Sequence, residues 1–311
     1  PTRWSRCEIE SIPSDTMPPM PAAPMFVDTV QIEEIEEGRL YRSDVQTKLQ
    51  RAFGGEVLAE SLLAAYEALP DERMAHSLHA YFLRPGRTDS PVVYDVARIR
   101  DSRSFSSCHV TARQAGLDIF QMTTSFHVSE PGVSHQDTAP RVDRLPEDCP
   151  LLLDAMTDRV KDAASLLDDK SILDVRLVDY SDLGHGNAPL NHSTHLRVWV
   201  RTRTALPDKQ RWHQAALAYL SDITLLASST FSHEDLVGVP IQMASIDHSM
   251  WFHRVCRADQ WLLYDQVSPN ASNALGMSMG RIFQDGNLVA TCAQEGLIRP
   301  RPDLLGSLDR A

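Results

Sequence analysis

The sequence lacks long apolar runs, closely spaced cysteines and an excess of basic residues. None of its apolar runs approaches the roughly 18 residues that a membrane-spanning helix needs, so we predict no membrane span. The five cysteines are scattered and never form a C-x-x-C pair, which argues against a disulfide framework or a zinc site and fits a reducing cytoplasm. With 30 Lys and Arg against 42 Asp and Glu, the formal net charge is -12, which argues against nucleic acid as a partner.

The first half of the chain predicts a buried helix followed by strands. Residues 26–42 alternate in a way that indicates strands with acidic outer faces. Glu56–Leu69 is apolar nearly all round, as expected of a buried helix. Four alternating segments bounded by turn residues follow, and they predict an antiparallel meander that wraps the helix. These segments are His76–Leu83, Val92–Ile99, Phe105–Arg113 and Ile119–Val128.

The second half repeats the first. At a constant offset of 170 residues, Tyr81-Phe82-Leu83-Arg84 falls on Trp251-Phe252-His253-Arg254 and Tyr94-Asp95 falls on Tyr264-Asp265. The register holds without a gap from about residue 81 to 126. A fixed register over strand, turn and strand is typical of a tandem duplication.

These patterns predict an α+β fold made of two helices, each wrapped by an antiparallel sheet, with the two sheets continuous. The expected divisions are an N-terminal tail at 1–25, a first unit at 26–130, a linker at 131–170, a second unit at 171–300 and a C-terminal tail at 301–311. Within the linker, residues 151–167 predict a short surface helix. In the second unit, residues 172–180, 195–204 and 242–250 predict strands.

One carboxylate stands among apolar residues in the second unit. If Trp212–Ala227 forms one helix, Asp222 shares a face with apolar side chains one turn away. Burying an isolated charge costs many kcal/mol unless partners receive it, so this acid is a candidate working group. The alternative is a helix N-cap, with the helix restarting at Ile223. The first-unit helix offers no equivalent of Asp222.

Two polar residues belong to the elements expected nearest that helix. Ser245 lies in the predicted strand that follows it, and Gln294 takes the position that Thr124 has in the first unit. Asp222 could accept a proton from a water that Ser245 and Gln294 hold in place. Taken singly, Ser245 is more simply a strand hydroxyl facing water and Gln294 a surface amide.

Neighbouring polar residues have simpler explanations. His248 and His253 lack a carboxylate at metal spacing, so we predict structural, hydrogen-bonded histidines and no metal. Asp247 and Arg254 are expected to form an ion pair at a strand end. Gly54-Gly55 is not followed by a phosphate-loop pattern and indicates close backbone approach at a helix start.

Several motifs carry a family resemblance over roughly residues 26 to 300. They are Ile246-Asp247-His248-Ser249-Met250-Trp251-Phe252-His253-Arg254, Phe53-Gly54-Gly55, His79-Ala80-Tyr81-Phe82-Leu83-Arg84-Pro85-Gly86, Tyr219-Leu220-Ser221-Asp222, Trp261-Leu262-Leu263-Tyr264 and Gln294-Glu295-Gly296-Leu297-Ile298-Arg299. With them the chain resembles the acyl-CoA thioesterase II (TesB-type) family, which has a double hotdog fold. The resemblance implies hydrolysis of fatty acyl-CoA thioesters to free acid and CoA, without a cofactor, by a homo-oligomer (dimer or tetramer).

The resemblance also implies roles for particular residues. The catalytic Asp, hydroxyl residue and Gln of the family map onto Asp222, Ser245 and Gln294. The family usually has Thr in place of Ser245, and Gln in place of Glu56. Candidates for substrate binding are Gly54, Gly55, Glu56, Arg84, Arg103 and Arg254, the arginines as contacts to CoA phosphates.

The reaction leaves alternatives open. Asp222 acts either as general base on a water or as a nucleophile that forms an anhydride. A hotdog enoyl-CoA hydratase is a weaker alternative, indicated only by the residue types of the loop Asp182–His192. The non-enzyme alternative is an acyl-CoA binding or sensing module without turnover, which the changes at Ser245 and Glu56 keep open.

Overall fold

A computed structural model describes residues 25–44, 51–70, 72–155, 172–178, 194–230, 233, 236 and 239–301. The predicted tails, except for residues 25 and 301, most of the predicted 151–167 helix and the whole 182–192 loop lie outside these ranges. No helix in the described ranges is long and apolar enough to cross a membrane.

The described part of the first half contains two helices and six strands. They are α1 (Phe26–Thr29), β1 (Glu33–Glu36), β2 (Leu40–Ser43), α2 (Gly54–Glu67), β3 (Met74–Phe82), β4 (Val92–Asp101), β5 (Phe105–Gln114) and β6 (Leu117–His127). The buried helix and the four-stranded meander agree with the prediction. The prediction for residues 26–42 is wrong at its start, because Phe26 is fully buried in a short helix that packs against Tyr219.

The described part of the second half follows the same order. Its elements are α3 (Leu152–Ala155), β7 (Leu173–Leu177), β8 (His195–Thr202), α4 (Gln210–Ser221), β9 (Ile241–Ser245), β10 (Asp247–Phe252), β11 (Leu262–Ser272), β12 (Leu275–Gln284) and β13 (Asn287–Pro300). The single strand predicted at 242–250 is in fact two strands that meet at Ile246. At this break, the Asp247 carboxylate accepts the N–H of Glu295 at 2.8 Å, so a side chain replaces a backbone partner.

All of these strands belong to one antiparallel sheet. Its order is β1-β2-β4-β5-β6-β3-β10-β13-β12-β11-β8-β7, and β9 pairs with β13 off this path. β3 and β10 join the two halves, with Ser249 opposite His79, Asp247 opposite Tyr81 and Trp251 opposite Ser77. Residues related by the offset of 170 thus change places across this pair, as a pseudo-twofold axis requires. The predicted continuity of the two sheets is confirmed.

The two long helices pack against each other and against the sheet. α2 is buried from Gly55 to Tyr66, and each fully buried Leu of this helix contributes about 1.5–3 kcal/mol to folding. The start of α2 lies against the end of α4, where a Cβ atom on Gly55 would lie 2.4 Å from the Tyr219 carbonyl oxygen. Glycine at this position permits the close approach, as the sequence predicted.

Candidate active site

Asp222 lies at the end of α4. The predicted helix over residues 212–227 is wrong in its second half, because α4 ends at Ser221 and Asp222 is its C-cap residue. The Tyr264 hydroxyl donates to the Ser221 carbonyl at 2.8 Å, and this carbonyl would otherwise continue the helical hydrogen bonds. Residues 222–225 form a turn before a short 3-10 helix at Leu226–Ser229, so the N-cap alternative is also wrong.

Asp222, Ser245 and Gln294 form a closed set of hydrogen bonds around one carboxylate oxygen. Gln294 Nε2 donates to Asp222 Oδ1 at 2.7 Å and to Ser245 Oγ at 2.5 Å. Ser245 Oγ donates to the same Oδ1 at 3.2 Å. The two amide hydrogens and the single hydroxyl hydrogen are therefore all used, and Oδ1 accepts two of them. This arrangement fixes the orientation of the carboxylate, and neither Ser245 nor Gln294 donates a hydrogen bond to Oδ2.

The sheet register brings Ser245 and Gln294 together. Ser245 ends β9 opposite Gly296, and Gln294 lies two residues before Gly296 on β13. The Gln294 side chain is only 1% exposed, whereas Asp222 and Ser245 are partly buried. Gln294 Oε1 is buried and has no hydrogen-bond partner within the described ranges.

The second oxygen of Asp222 faces the start of α2, in the other half of the chain. A Cβ atom placed on Gly54 would lie 2.7 Å from Asp222 Oδ2. The first N–H groups of a helix have no acceptor within the helix and carry a partial positive charge. The site therefore places a fixed carboxylate beside the start of α2, and its Oδ2 accepts no hydrogen bond within the described ranges.

Comparisons with known proteins identify the family. Residues 42–127 match the model of the acyl-CoA thioesterase N-terminal domain, and residues 186–297 match that of acyl-CoA thioesterase. The chain is 36% identical over 284 residues to acyl-CoA thioesterase 2 of Haemophilus influenzae, covering 88% of this chain and 96% of that one. The chain belongs to the acyl-CoA thioesterase family.

Solved structures agree with this assignment. Acyl-CoA thioesterase II TesB2 from Mycobacterium marinum is 38% identical, with a TM-score of 0.73 over 89% of this chain and 99% of that chain. A protein with a hot dog fold from Alicyclobacillus acidocaldarius superposes with a TM-score of 0.68 at 20% identity, covering 88% of this chain and 97% of that chain, and supports the fold alone. The expected family and the double hotdog fold are confirmed.

The first half of this thioesterase-family chain has a different set of residues at the matching place. By the offset of 170, Ala75 stands for Ser245 and Thr124 stands for Gln294. The Tyr66 hydroxyl accepts the N–H of Ala75 at 2.8 Å and bonds to Gln214, while Thr124 donates to the Ser77 carbonyl at 3.1 Å. At the matching place, the first half thus has the hydroxyls of Tyr66 and Thr124, hydrogen-bonded within the core, where the second half has the carboxylate of Asp222.

The interior of α2 is not free of acids, however. Glu56 and Glu60 are each 1% exposed, and Glu60 Oε2 accepts hydrogen bonds from Ser43 Oγ at 2.9 Å and from the Tyr94 hydroxyl. We expected α2 to contain no equivalent of Asp222. The described helix has no carboxylate at the position that matches Asp222, but Glu56 and Glu60 are buried at other positions. Glu56, a candidate for substrate binding, is enclosed in this core.

The structure gives the three candidate arginines no hydrogen bond to Asp222, Ser245 or Gln294 within the described ranges. Arg84 donates to the Asp118 carbonyl and Arg254 to the Leu288 carbonyl at 2.7 Å, which is the same bond in each copy. Arg103 is exposed in the turn between β4 and β5. The ion pair expected between Arg254 and Asp247 does not form, because Asp247 accepts the N–H of Glu295 instead.

Two histidines have hydrogen-bond partners, as predicted. His248 Nε2 lies 2.9 Å from Ser221 Oγ, and His253 Nε2 lies 2.8 Å from Thr291 Oγ1. Burial lowers the pKa of His248, against the charges of Asp222 and Asp247, which raise it. Within the described ranges, no three His, Cys, Asp or Glu side chains gather as metal ligands.

The cysteines in the described ranges are poor nucleophiles. Cys108, Cys149, Cys256 and Cys292 are all buried. Burial raises the pKa of Cys108 to about 11, and raises those of Cys256 and Cys292 to about 12. Because the thiolate is the reactive form, these thiols are unreactive at neutral pH.

Proposed function

We propose that this protein hydrolyses fatty acyl-CoA thioesters to free fatty acid and CoA at the site formed by Asp222, Ser245 and Gln294. The observation that carries this proposal is the unequal use of the two Asp222 oxygens. Oδ1 accepts two of the three hydrogen bonds of the group, and Oδ2 faces the start of α2. A carboxylate fixed in this way is suited to take a proton from a water molecule.

In the mechanism we favour, Asp222 is the general base. A water bound to Oδ2 attacks the thioester carbonyl carbon and gives its proton to the carboxylate, which forms a tetrahedral intermediate. The carbon–sulfur bond then breaks, and CoA leaves as a thiolate. A free thiol has a pKa of about 8.5, so this leaving group needs little acid assistance, and the thiolate is protonated afterwards.

Ser245 and Gln294 orient the base in this mechanism. Their hydrogen bonds end on Oδ1, so rotation of the carboxylate that would withdraw Oδ2 from the water breaks two contacts. Ser245 keeps the hydroxyl that a Thr would provide. Its departure from the family pattern therefore removes a methyl group and no hydrogen bond.

The backbone at the start of α2 is suited to bind the negative charge that develops on the substrate carbonyl oxygen. Gly54 and Gly55 begin this helix, and Gly54 lies against Asp222. Unpaired N–H groups at a helix start are effective donors to an oxyanion. We assign the substrate-binding role to these two glycines, and Glu56 influences it only from within the core.

The proposal is tested by thiol release from acyl-CoA esters of graded chain length, with Asp222→Asn beside the wild type. Loss of a general base lowers kcat by about 10²–10⁴. Equal rates would contradict the assignment of Asp222. No release from either protein would favour a binding module, and loss of enoyl absorbance without thiol would favour a hydratase.

A single-turnover reaction in ¹⁸O-labelled water tests whether Asp222 acts as a nucleophile and not as a general base. With excess enzyme, direct attack by water places the label in the fatty acid. If Asp222 forms an anhydride and water then attacks the Asp222 carbonyl, the label enters the protein. Mass spectrometry of the peptide that contains Asp222 detects this anhydride route, and label in the fatty acid alone excludes water attack on an Asp222 carbonyl.

Three broader expectations remain proposals. The divisions at 26–130, 131–170 and 171–300 are supported by the paired registers of the two halves. Cytoplasmic location and a homo-oligomer come from composition and family resemblance. Joining sheets at β1 is disfavoured, because Glu33, Glu34 and Glu36 are exposed on that edge and would repel a second copy. Light scattering during gel filtration measures the oligomeric state.

A further inference from the structure

Ser221, the last residue of α4, is held by three hydrogen bonds. Its carbonyl accepts the Tyr264 hydroxyl at 2.8 Å. Its own hydroxyl donates to the Ala218 carbonyl at 2.9 Å and lies 2.9 Å from His248 Nε2. Asp222 is the next residue, so these contacts fix the point from which its side chain extends.

The single proton of the Ser221 hydroxyl determines the state of His248. This proton goes to the Ala218 carbonyl, so His248 must donate through Nε2. A neutral imidazole with hydrogen on Nε2 leaves Nδ1 as a bare acceptor, and Nδ1 is buried without a partner in the described ranges. The opposite tautomer would bury an unpaired N–H there and break the bond to Ala218. His248 is therefore a neutral donor to Ser221.

Ser221 and His248 have the residue types of a nucleophile and its base, but their surroundings exclude that role. Both side chains are 0% exposed. A serine nucleophile must reach the substrate and pass its proton to the histidine, whereas this hydroxyl points its proton at a helix carbonyl. The pair supports the structure behind the carboxylate and does not contact substrate.

Tyr264 is held in place as firmly as His248. A Cβ atom on Gly280 would lie 2.4 Å from Tyr264 Cε2, so the ring occupies the space that any other residue would fill. The hydroxyl also lies 3.1 Å from Cys292 Sγ. In the first half the matching residue is Tyr94, whose hydroxyl bonds to Glu60 in the middle of α2.

We propose that His248 and Tyr264 are positioning residues for the hydrolysis, which act through Ser221 to set the place of the Asp222 carboxylate. The inference rests on the proposed function of Asp222. Both residues belong to the sheet, on β10 and β11, and both bond to the end of α4. They therefore tie the base to the strands that carry its partners, since β10 and β11 lie in one sheet with β13.

The test compares His248→Met, which removes the donor, with His248→Gln, whose amide restores an N–H near the position of Nε2. Thiol release is measured on one acyl-CoA ester. We expect kcat of His248→Met to fall about 10- to 100-fold with KM within about twofold, and His248→Gln to recover most of the loss. Equal losses in both variants, or a loss in KM alone, would overturn the proposal.

Tyr264→Phe and Tyr94→Phe form a matched pair in the two halves. Each removes one buried hydroxyl from offset-related positions. We expect Tyr264→Phe to lower kcat about 10-fold and Tyr94→Phe to leave it within about twofold. Similar effects from the two variants would mean that any buried hydroxyl matters equally, and the positioning role would be rejected.

A double variant separates this inference from the proposed function. If His248 acts only through Asp222, then His248→Met has no further effect on kcat in the Asp222→Asn background. If His248→Met lowers kcat in the Asp222→Asn background as much as it does in the wild type, His248 acts by another route. If Asp222→Asn is as active as the wild type, the proposed role of Asp222 as general base is itself contradicted. Thermal unfolding of each variant confirms that the folded protein is compared.

Discussion

Gly54 and Asp222 come from opposite halves of the chain and lie in contact, with room for no side chain between them. A Cβ atom on Gly54 would lie 2.7 Å from Asp222 Oδ2, and 3.0 Å from a ring carbon of Phe82. The carboxylate that we propose as the base thus lies in one half and packs against the helix start of the other. Neither hotdog unit contains the complete site by itself.

Gly54→Ala is expected to lower activity more than stability. The added methyl meets the end of the Asp222 side chain, which moves away and loses its position. The methyl also lies near the Phe82 ring, so a small loss of stability accompanies the loss of activity. We expect kcat for thiol release to fall at least about 10-fold. Gly132→Ala is the control, because nothing lies within 4 Å of a Cβ there; equal kcat in both variants would contradict the contact.

Gly55→Ala, in contrast, is expected mainly to lower the free energy of unfolding. Its Cβ would lie 2.4 Å from the backbone oxygen of Tyr219, so the two helices must separate. Overpacking of this kind costs about 1–3 kcal/mol, and urea unfolding measures the loss. A free energy of unfolding equal to that of the wild type would show that the helix contact is looser than described.

Ser245→Ala is expected to reduce kcat, whereas Ser245→Thr is expected to retain it. The Ala variant loses the hydroxyl that donates to Asp222 Oδ1 and accepts from Gln294. A hydrogen bond to a charged group contributes about 1.5–3 kcal/mol, which corresponds to about 10- to 150-fold in rate if all of it acts in the transition state. Thiol release measures both variants, and an Ala variant as fast as the Thr variant would exclude a role for the hydroxyl.

Stability is expected to fall as the pH drops below about 6.5, where a solvated imidazole takes up a proton. Burial lowers the pKa of His248, so the unfolded chain binds this proton at a higher pH than the folded chain does. The contribution of His248 to the free energy of unfolding then rises with pH up to the pKa of histidine in the unfolded chain, and is constant above that pH. His248→Gln should reduce this slope by up to one proton, as followed by urea unfolding between pH 5 and 8. A slope that is the same in His248→Gln and in the wild type would contradict the burial of a neutral imidazole at this position.

The offset of 170 residues predicted most of the fold. Strand β5 at residues 105–114 and strand β12 at 275–284 lie at that offset, and the pairing of β3 with β10 obeys it. Period-two patterns and turn residues persist in sequence because each strand needs one buried face. The break at Ile246 was missed, since it depends on the Asp247 carboxylate and a partner on β13.

The residues behind Asp222 were also missed. Tyr264 was visible as the counterpart of Tyr94 in the repeat and as the last residue of the motif Trp261-Leu262-Leu263-Tyr264, but neither pattern indicated its contact with Ser221. Its bond to Ser221 spans 43 residues, and the bond from Gln294 to Asp222 spans 72. Local patterns carry no information on contacts of that length, and the sequence indicated that Gln294 lies near Asp222 only through the repeat and the family resemblance.

The sequence by itself determined the duplication, the two wrapped helices and the residue types of the site, because hydrophobic period and motif spacing are local properties of the chain. The tertiary structure alone decided where α4 ends, which oxygen of Asp222 is held and which stays open, and that Gly54 of the other half faces it. These features arise where distant segments meet, and their hydrogen bonds and close contacts exist only after the sheet has paired in register.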